Sequence, residues 1–142
     1  ISNNSKSLAL KRAQRELIPA YHLSNFSHPT AESLDTAILN TLHRHKVDLV
    51  LLAGYMKLIG PKVLCKFPNR VLNSHPSLLP KYGGKGMYGS QVHRSVIEAG
   101  EKETGVTIHL VDEEYDHGAI IDQIKIKIKP NYGPKPLHVN FL

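Results

Sequence analysis

The run VDLVLLAG, residues 47–54, is almost continuously apolar and ends at a glycine. Such a run is typical of a strand that is buried on both faces of a parallel sheet. Before it, apolar residues at helical spacing predict helices over 5–17, with Ser5 as N-cap, and over 31–45. These segments indicate a protein in which helices and strands alternate.

The same alternation continues toward the end of the chain. The other predicted elements are a strand at 18–23, a helix at 61–67 with Pro61 at its first position, a strand at 70–74, a helix at 88–99 ended by Gly100 and a strand at 105–111. This order predicts an α/β fold with a doubly wound, mostly parallel sheet of Rossmann-like type. Residues 130–142 are assigned no regular structure.

The segment AIIDQIKIKIK, residues 119–129, alternates isoleucine with lysine over most of its length. Successive side chains of a strand point to opposite faces, so one side of this strand is expected to be buried and the other wet. That pattern places it at an edge of the sheet or in an antiparallel position.

Composition limits the class of protein. The chain has 142 residues, which suits a single domain, and its net charge of +6 favours anionic partners. Because aromatic residues make up only 6% and the basic residues are dispersed, small phosphorylated or carboxylated substrates are favoured over nucleic acid. The single Cys65 fits a reducing cytosol, and no window approaches the ~20 apolar residues of a membrane span. A cytoplasmic location without membrane attachment is therefore expected, and the oligomeric state is not predicted.

The strand at 70–74 leads into a possible site at Asn73 and His75. Residues i and i+2 of a strand share a face, so both side chains should project into the crevice at the carboxyl end of the strand. An amide can stabilise a developing oxyanion and an imidazole can carry a proton, which together suit addition to a carbonyl. A structural histidine before a proline turn is the alternative interpretation.

Four carboxylates lie close together after the strand at 105–111, within the stretch DEEYD at 112–116. One of them beside His75 would favour the imidazolium form. Spacing alone does not say which one faces the histidine, and a solvated acidic loop is the alternative. His109 is expected to be a packed or supporting residue, and the nine histidines show no convincing metal-ligand spacing.

Three motifs together resemble the formyltransferase family that uses 10-formyltetrahydrofolate. They are NSHPSLLP at 73–80, GVTIH at 105–109 and DHGAIIDQ at 116–123. The similarity runs from Ile1 to about Pro130, and it is strongest to the members that formylate glycinamide ribonucleotide in purine (IMP) biosynthesis. The resemblance therefore implies an enzyme that takes a formyl folate and glycinamide ribonucleotide as small-molecule substrates, with no metal.

The resemblance also implies a role for each matching residue. Asn73 corresponds to the amide that holds the formyl oxygen, His75 to the acid–base residue and Asp116 to the carboxylate that charges the imidazole and orders a water. The residues that correspond to the folate pocket are Met56, Lys57, Leu58, Ile59, Asn73, Asp112, Glu113, Glu114, Tyr115 and Asp116. Lys57 stands where arginine is common in the family.

The two ends of the chain differ from the family pattern. Relatives begin with a strand and a Gly-rich phosphate-binding loop, whereas Ile1–Asn3 looks like the end of a second strand. They also continue into a further C-terminal helix. Residues 1–142 are therefore expected to be a single but incomplete formyltransferase domain, marginally stable and poorly active by itself.

Two other functions stay open from the sequence. The first is that of a related formyl-handling enzyme, such as a methionyl-tRNA or sugar-amine formyltransferase or a formyltetrahydrofolate hydrolase, which share the Asn-His-Asp set. The second is a folate-binding remnant without catalytic activity.

Overall fold

The computed structural model describes residues 1–129, and the tail at 130–142 lies outside the described residues. These residues form two compact units. The first holds Ile1–Asp48 and Ile59–Pro68, and the second holds Leu49–Leu58 and the described residues from Asn69 onward.

The first unit is mainly helical. Its helices are α1 (Leu8–Arg15), α2 (Ala31–Arg44) and α3 (Pro61–Lys66). The predicted helices at 31–45 and 61–67 are thus confirmed. Helix α1 is shorter than the predicted 5–17, and its N-cap is Ser7 instead of Ser5, because the Ser7 hydroxyl accepts the Ala9 N–H.

Helices α2 and α3 are joined through one buried carboxylate. Asp35 accepts the backbone N–H groups of Lys62 and Val63, at 2.8 and 3.2 Å, and so satisfies two donors at the start of α3. Leu34, Ile38 and Val63 are buried in this unit. The predicted strand at 18–23 is reduced to a single parallel bridge between His22 and Ser2.

The second unit is built on a four-stranded sheet in the order β1-β2-β3-β4. The strands are β1 (Val50–Leu52), β2 (Val71–His75), β3 (Glu103–Leu110) and β4 (Ile120–Lys127), and helix α4 (Ser90–Glu98) lies between β2 and β3 in sequence. Strands β1 and β2 pair in parallel, whereas β2–β3 and β3–β4 are antiparallel. The predicted α/β class is confirmed, but the described sheet is mixed rather than mostly parallel, because β3 and β4 each pair antiparallel to the preceding strand.

Two expectations about burial are wrong. Strand β1 is at an edge of the described sheet, and Leu51 is 68% exposed rather than buried on both faces. Strand β4 is an antiparallel edge strand, as its alternation predicts, yet Ile124 is 62% exposed. Periodicity reports which side chains share a face, but burial depends on whether another element covers that face.

Candidate active site

Strand β2 carries the two predicted site residues at its carboxyl end. Antiparallel pairing sets Asn73 opposite His109 and His75 opposite Thr107 on β3. The His75 side chain is buried, and the Asn73 side chain is half-buried. Asn73 and His75 both lie within reach of the same carboxylate, that of Asp116, so the structure brings the three predicted residues together.

Asp116 lies in the loop that connects β3 and β4, and its side chain is only 10% exposed. Its Oδ2 lies 3.3 Å from His75 Nδ1 and accepts the Gly84 N–H at 3.0 Å. Its Oδ1 lies 3.5 Å from both His109 Nε2 and Asn73 Nδ2. The backbone of Asp116 is left-handed, with φ of 54°, a conformation that aspartate tolerates better than most residues.

Three donors determine the charge of this carboxyl group. Burial alone would raise the pKa of Asp116, but the hydrogen bonds from His109, His75 and the Gly84 N–H outweigh it and hold the pKa well below its ordinary value. Asp116 is therefore a carboxylate throughout the physiological pH range. It is the fixed negative charge of the site.

The tautomer of His75 follows from its two neighbours. Nε2 lies 2.8 Å from the Tyr82 carbonyl oxygen, which can only accept, so Nε2 carries a proton. Nδ1 faces Asp116, on the side where Asn73 lies. Nδ1 is therefore the nitrogen at which this ring can gain or lose a proton.

His109 is a packed residue that supports the site, as the sequence suggested. It is 2% exposed, and its Nδ1 donates to the Leu110 carbonyl at 2.7 Å. Its Nε2 faces Asn73 at 3.1 Å, where a neutral ring accepts the amide N–H and a charged ring donates to Asp116. Burial lowers the pKa of His109, but the bonds to Asp116 and to the Leu110 carbonyl outweigh that effect and leave the pKa raised.

A buried hydroxyl anchors the turn that follows His75. Thr107 Oγ1 donates to the Ser77 carbonyl at 2.6 Å and accepts the Leu79 N–H at 3.0 Å. The Gln123 amide on β4 donates to both Thr107 Oγ1 and the Leu79 carbonyl, each at 2.9 Å. Sequence reasoning missed Thr107 and Gln123, although both lie within the motifs that carry the family resemblance.

The segments expected to hold folate lie in different surroundings. Met56 is 50% exposed and lines an open cavity of about 750 Å³ together with residues 85–91. Leu58 is 45% exposed, whereas Ile59 is buried in the first unit. Lys57 is exposed.

The acidic loop is ordered by contacts of its own. Asp112 accepts the Glu114 N–H at 2.9 Å and pairs with His117 Nδ1 at 2.8 Å. Glu113 and Tyr115 are exposed beside it. Of the four carboxylates in this loop, Asp116 is the one that lies against His75.

Within residues 1–129 no group of three or more His, Cys, Asp or Glu side chains is arranged to hold a metal ion. Among the helices of that range, none has the length and apolar character needed to cross a membrane.

An α/β sheet that ends in an amide, an imidazole and a fixed carboxylate is suited to addition at a carbonyl. The family model for formyl transferase matches residues 1–141, and the chain belongs to this family. It is 44% identical over 132 residues to phosphoribosylglycinamide formyltransferase of Haemophilus influenzae, a match that covers 92% of this chain and 59% of the relative. The chain therefore spans less than two thirds of that relative.

Solved structures agree with this assignment. Glycinamide ribonucleotide transformylase 1 of Symbiobacterium toebii superposes with a TM-score of 0.82 and 38% identity, over 90% of this chain and 58% of that one. A formyltetrahydrofolate deformylase of Pseudomonas syringae superposes with a TM-score of 0.78 and 26% identity, over 94% of this chain and 42% of that one. The predicted family and fold class are confirmed.

Proposed function

We propose that the protein transfers a formyl group from 10-formyltetrahydrofolate to the primary amine of glycinamide ribonucleotide in purine biosynthesis. Support comes from the family, from relatives named for this activity and, above all, from one observation. The Asp116 carboxylate lies within 3.5 Å of donors on Asn73, His75, His109 and Gly84. A carboxylate that joins an amide and an imidazole on one strand face is an arrangement with a direct use in acyl transfer.

The first step is attack of the amine nitrogen on the formyl carbon. A carbon–nitrogen bond forms and the carbonyl oxygen becomes an oxyanion. Asn73 is the donor proposed to hold that oxygen, since its amide lies beside His75 on the crevice face. A preorganised donor in a partly buried site stabilises the oxyanion without reorganisation during the reaction.

The second step is collapse of the tetrahedral intermediate. His75 Nδ1 takes the proton that the attacking nitrogen loses and returns it to the folate nitrogen, which leaves as tetrahydrofolate. Asp116 stabilises the imidazolium between these two transfers, because its carboxylate lies 3.3 Å from Nδ1. The products are the formylated amine and tetrahydrofolate, so atoms and charge balance.

The formyl folate is proposed to bind beside residues Met56 to Leu58 and the loop from Asp112 to Asp116, which belong to the second unit. Met56 lines the open cavity at residues 85–91, where a flat ring system has room. The exposed Tyr115 and the acidic loop are the second segment proposed to contact the folate, and the bond from the Glu114 N–H to Asp112 orders that loop.

Hydrolysis of the formyl folate to formate is the second candidate. The match to the Pseudomonas syringae deformylase favours it, because that structure superposes over 94% of this chain. The same three residues would then activate a water in place of an amine.

One assay on the complete gene product separates the two activities. Tetrahydrofolate and formate are measured with 10-formyltetrahydrofolate, with and without glycinamide ribonucleotide. We expect tetrahydrofolate formation that requires the amine and falls by about a hundredfold in Asn73→Ala, the cost of losing one oxyanion donor. The matched control Gln14→Ala changes an exposed residue of α1 and should keep full activity. Formate release that ignores the amine would establish hydrolysis instead, and no turnover of the folate would reject both.

A further inference from the structure

Tyr82 makes one hydrogen bond through its side chain and another through its backbone carbonyl. Its hydroxyl donates to Glu101 Oε1 at 3.0 Å, and its carbonyl oxygen accepts the Nε2–H of His75 at 2.8 Å. One residue thus connects a surface carboxylate to the ring proposed to carry the proton.

The backbone conformation that places the Tyr82 carbonyl against His75 is an unfavourable one. Tyr82 has φ of 58°, in the left-handed region that costs free energy for any residue with a side chain. A Cβ at Gly83 would lie 2.5 Å from Leu79 Cδ2 and 3.2 Å from Asp116 Cβ, so a larger residue there would force these side chains to shift. The next N–H, that of Gly84, donates to Asp116. The segment from Tyr82 to Gly84 therefore supplies an acceptor to His75 and a donor to Asp116.

Glu101 is itself placed by the end of helix α4. Gly100 is left-handed, with φ of 67°, and its N–H donates to the Ile97 carbonyl at 3.0 Å. The Glu101 N–H donates to the Val96 carbonyl at 3.3 Å. This pair of bonds is a Schellman motif, which fixes the backbone of the residue after the glycine.

The Glu101 carboxylate has a second donor in Lys81 Nζ, at 2.9 Å. Hydrogen bonds from Lys81 and then from Tyr82 hold the pKa of Glu101 below its ordinary value, so the group is a carboxylate. The Lys81 side chain is 69% exposed, and an ion pair in that setting contributes little. The Tyr82 hydroxyl is the contact that joins Glu101 to the residue whose carbonyl is bonded to His75.

We infer that Glu101 is a positioning residue for the reaction, which holds Tyr82 so that its carbonyl fixes the tautomer and aim of His75. This inference rests on the proposed function only for its kinetic consequence. The structural part, that Glu101 controls the Nε2–H bond of His75, stands independently of which reaction the site performs.

NMR of the ¹⁵N-labelled protein tests the structural part directly. In the wild type the His75 Nε2–H proton should be a protected low-field signal, because the ring is only 4% exposed and the proton is bonded to the Tyr82 carbonyl. Tyr82→Phe removes only the hydroxyl, and Glu101→Ala removes its acceptor. Each should speed exchange of that proton with water by about fivefold, the equivalent of one net hydrogen bond.

Three further variants make the result specific. Glu101→Gln keeps an oxygen that accepts the Tyr82 hydroxyl and should restore the protected signal. Lys81→Met should leave it unchanged. Tyr21→Phe is the matched control, since it deletes a tyrosine hydroxyl bonded to His45 in the first unit and should not alter the His75 signal.

Turnover provides the second readout. Glu101→Ala and Tyr82→Phe should lower kcat by about tenfold with little change in KM for the amine, because a misaligned ring affects the transition state more than binding. Unchanged His75 exchange and unchanged kcat in both variants would overturn the inference. Altered exchange in a protein that shows no formyl transfer would reject the proposed function and leave the positioning role intact.

Discussion

Around the candidate site, one face of the four-stranded sheet buries polar side chains, whereas the opposite face leaves large apolar side chains exposed. On one face His75, Thr107 and His109 are buried, with exposures of 4%, 0% and 2%. On the other, Leu51 is 68% exposed and Ile124 is 62% exposed. A buried polar group is tolerated only where it has a specific hydrogen-bond partner. Substitutions on the first face are therefore expected to cost more activity and stability than substitutions on the second.

The largest effect should come from the charge at the centre of the polar face. Asp116→Asn keeps the size of the side chain and removes the carboxylate that stabilises the imidazolium. We expect kcat to fall by about a thousandfold, within the range that acid–base catalysis supplies. Steady-state formyl transfer measures it, with Asp122→Asn on exposed β4 as the matched control. An Asp116→Asn enzyme within threefold of wild type would show that the polar face is structural.

A smaller loss should follow when the buried hydroxyl of that face is removed. Thr107→Val keeps the shape but leaves the Ser77 carbonyl and the Leu79 N–H without their partner. We expect the free energy of unfolding to fall by about 2–3 kcal/mol. Thr107→Ser retains the hydroxyl and should lose only about 1 kcal/mol, the value of a buried methyl group. Urea denaturation compares the two, and equal losses would contradict the role given to the hydroxyl.

The same face should give stability a characteristic pH dependence. The raised pKa of His109 means that its contribution is complete below its unfolded value of about 6.5 and is lost as pH rises through the folded pKa. The lowered pKa of Asp116 means that its contribution is complete above its unfolded value of about 3.9 and is lost as pH falls toward the folded pKa.

Asp116→Asn removes both contributions at once. The difference in free energy of unfolding between wild type and this variant should therefore be greatest between about pH 4 and 6.5, and it should narrow toward pH 9. Denaturant titrations across that range measure the difference. A gap that widens above pH 7 would mean that His109 is not stabilised by the Asp116 carboxylate.

The smallest effect is expected on the apolar face. Ile124→Thr replaces an exposed apolar side chain with a β-branched polar one that suits a strand. Its free energy of unfolding should stay within about 0.5 kcal/mol of wild type, as for other surface changes. A loss above 1 kcal/mol would show that this face is covered in solution and would end the contrast between the two faces.

Local pattern predicted the part of the site that lies on one strand. Asn73 and His75 share a face because they are two residues apart on β2, and that spacing was readable from the sequence. The placement of His109 depends on the register of β3 against β2, across 36 residues of chain, which no local pattern specifies. Tyr82 contacts His75 through its backbone carbonyl, which every residue type has. The identity of residue 82 therefore could not indicate this contact.

Whether a strand face is buried was harder to predict from the sequence than which side chains share that face. The alternation of isoleucine and lysine in β4 indicated an edge or an antiparallel position, and in the described sheet β4 has both. It could not indicate whether anything covers Ile124, because a periodic pattern records which side chains point together and not what lies opposite them. The continuous apolar run around β1 has the same limit, and Leu51 is accordingly exposed.

Asp116 and His75 are proposed to act as one unit, and a comparison of kcat between single and double variants is the sharpest test of that coupling. The rates of formyl transfer are measured for Asp116→Asn, for His75→Asn and for both changes in one chain. Since residues that act as a unit are not additive, the double variant should be within about threefold of the slower single variant. Losses that multiply in the double variant would show two independent groups and would contradict this account.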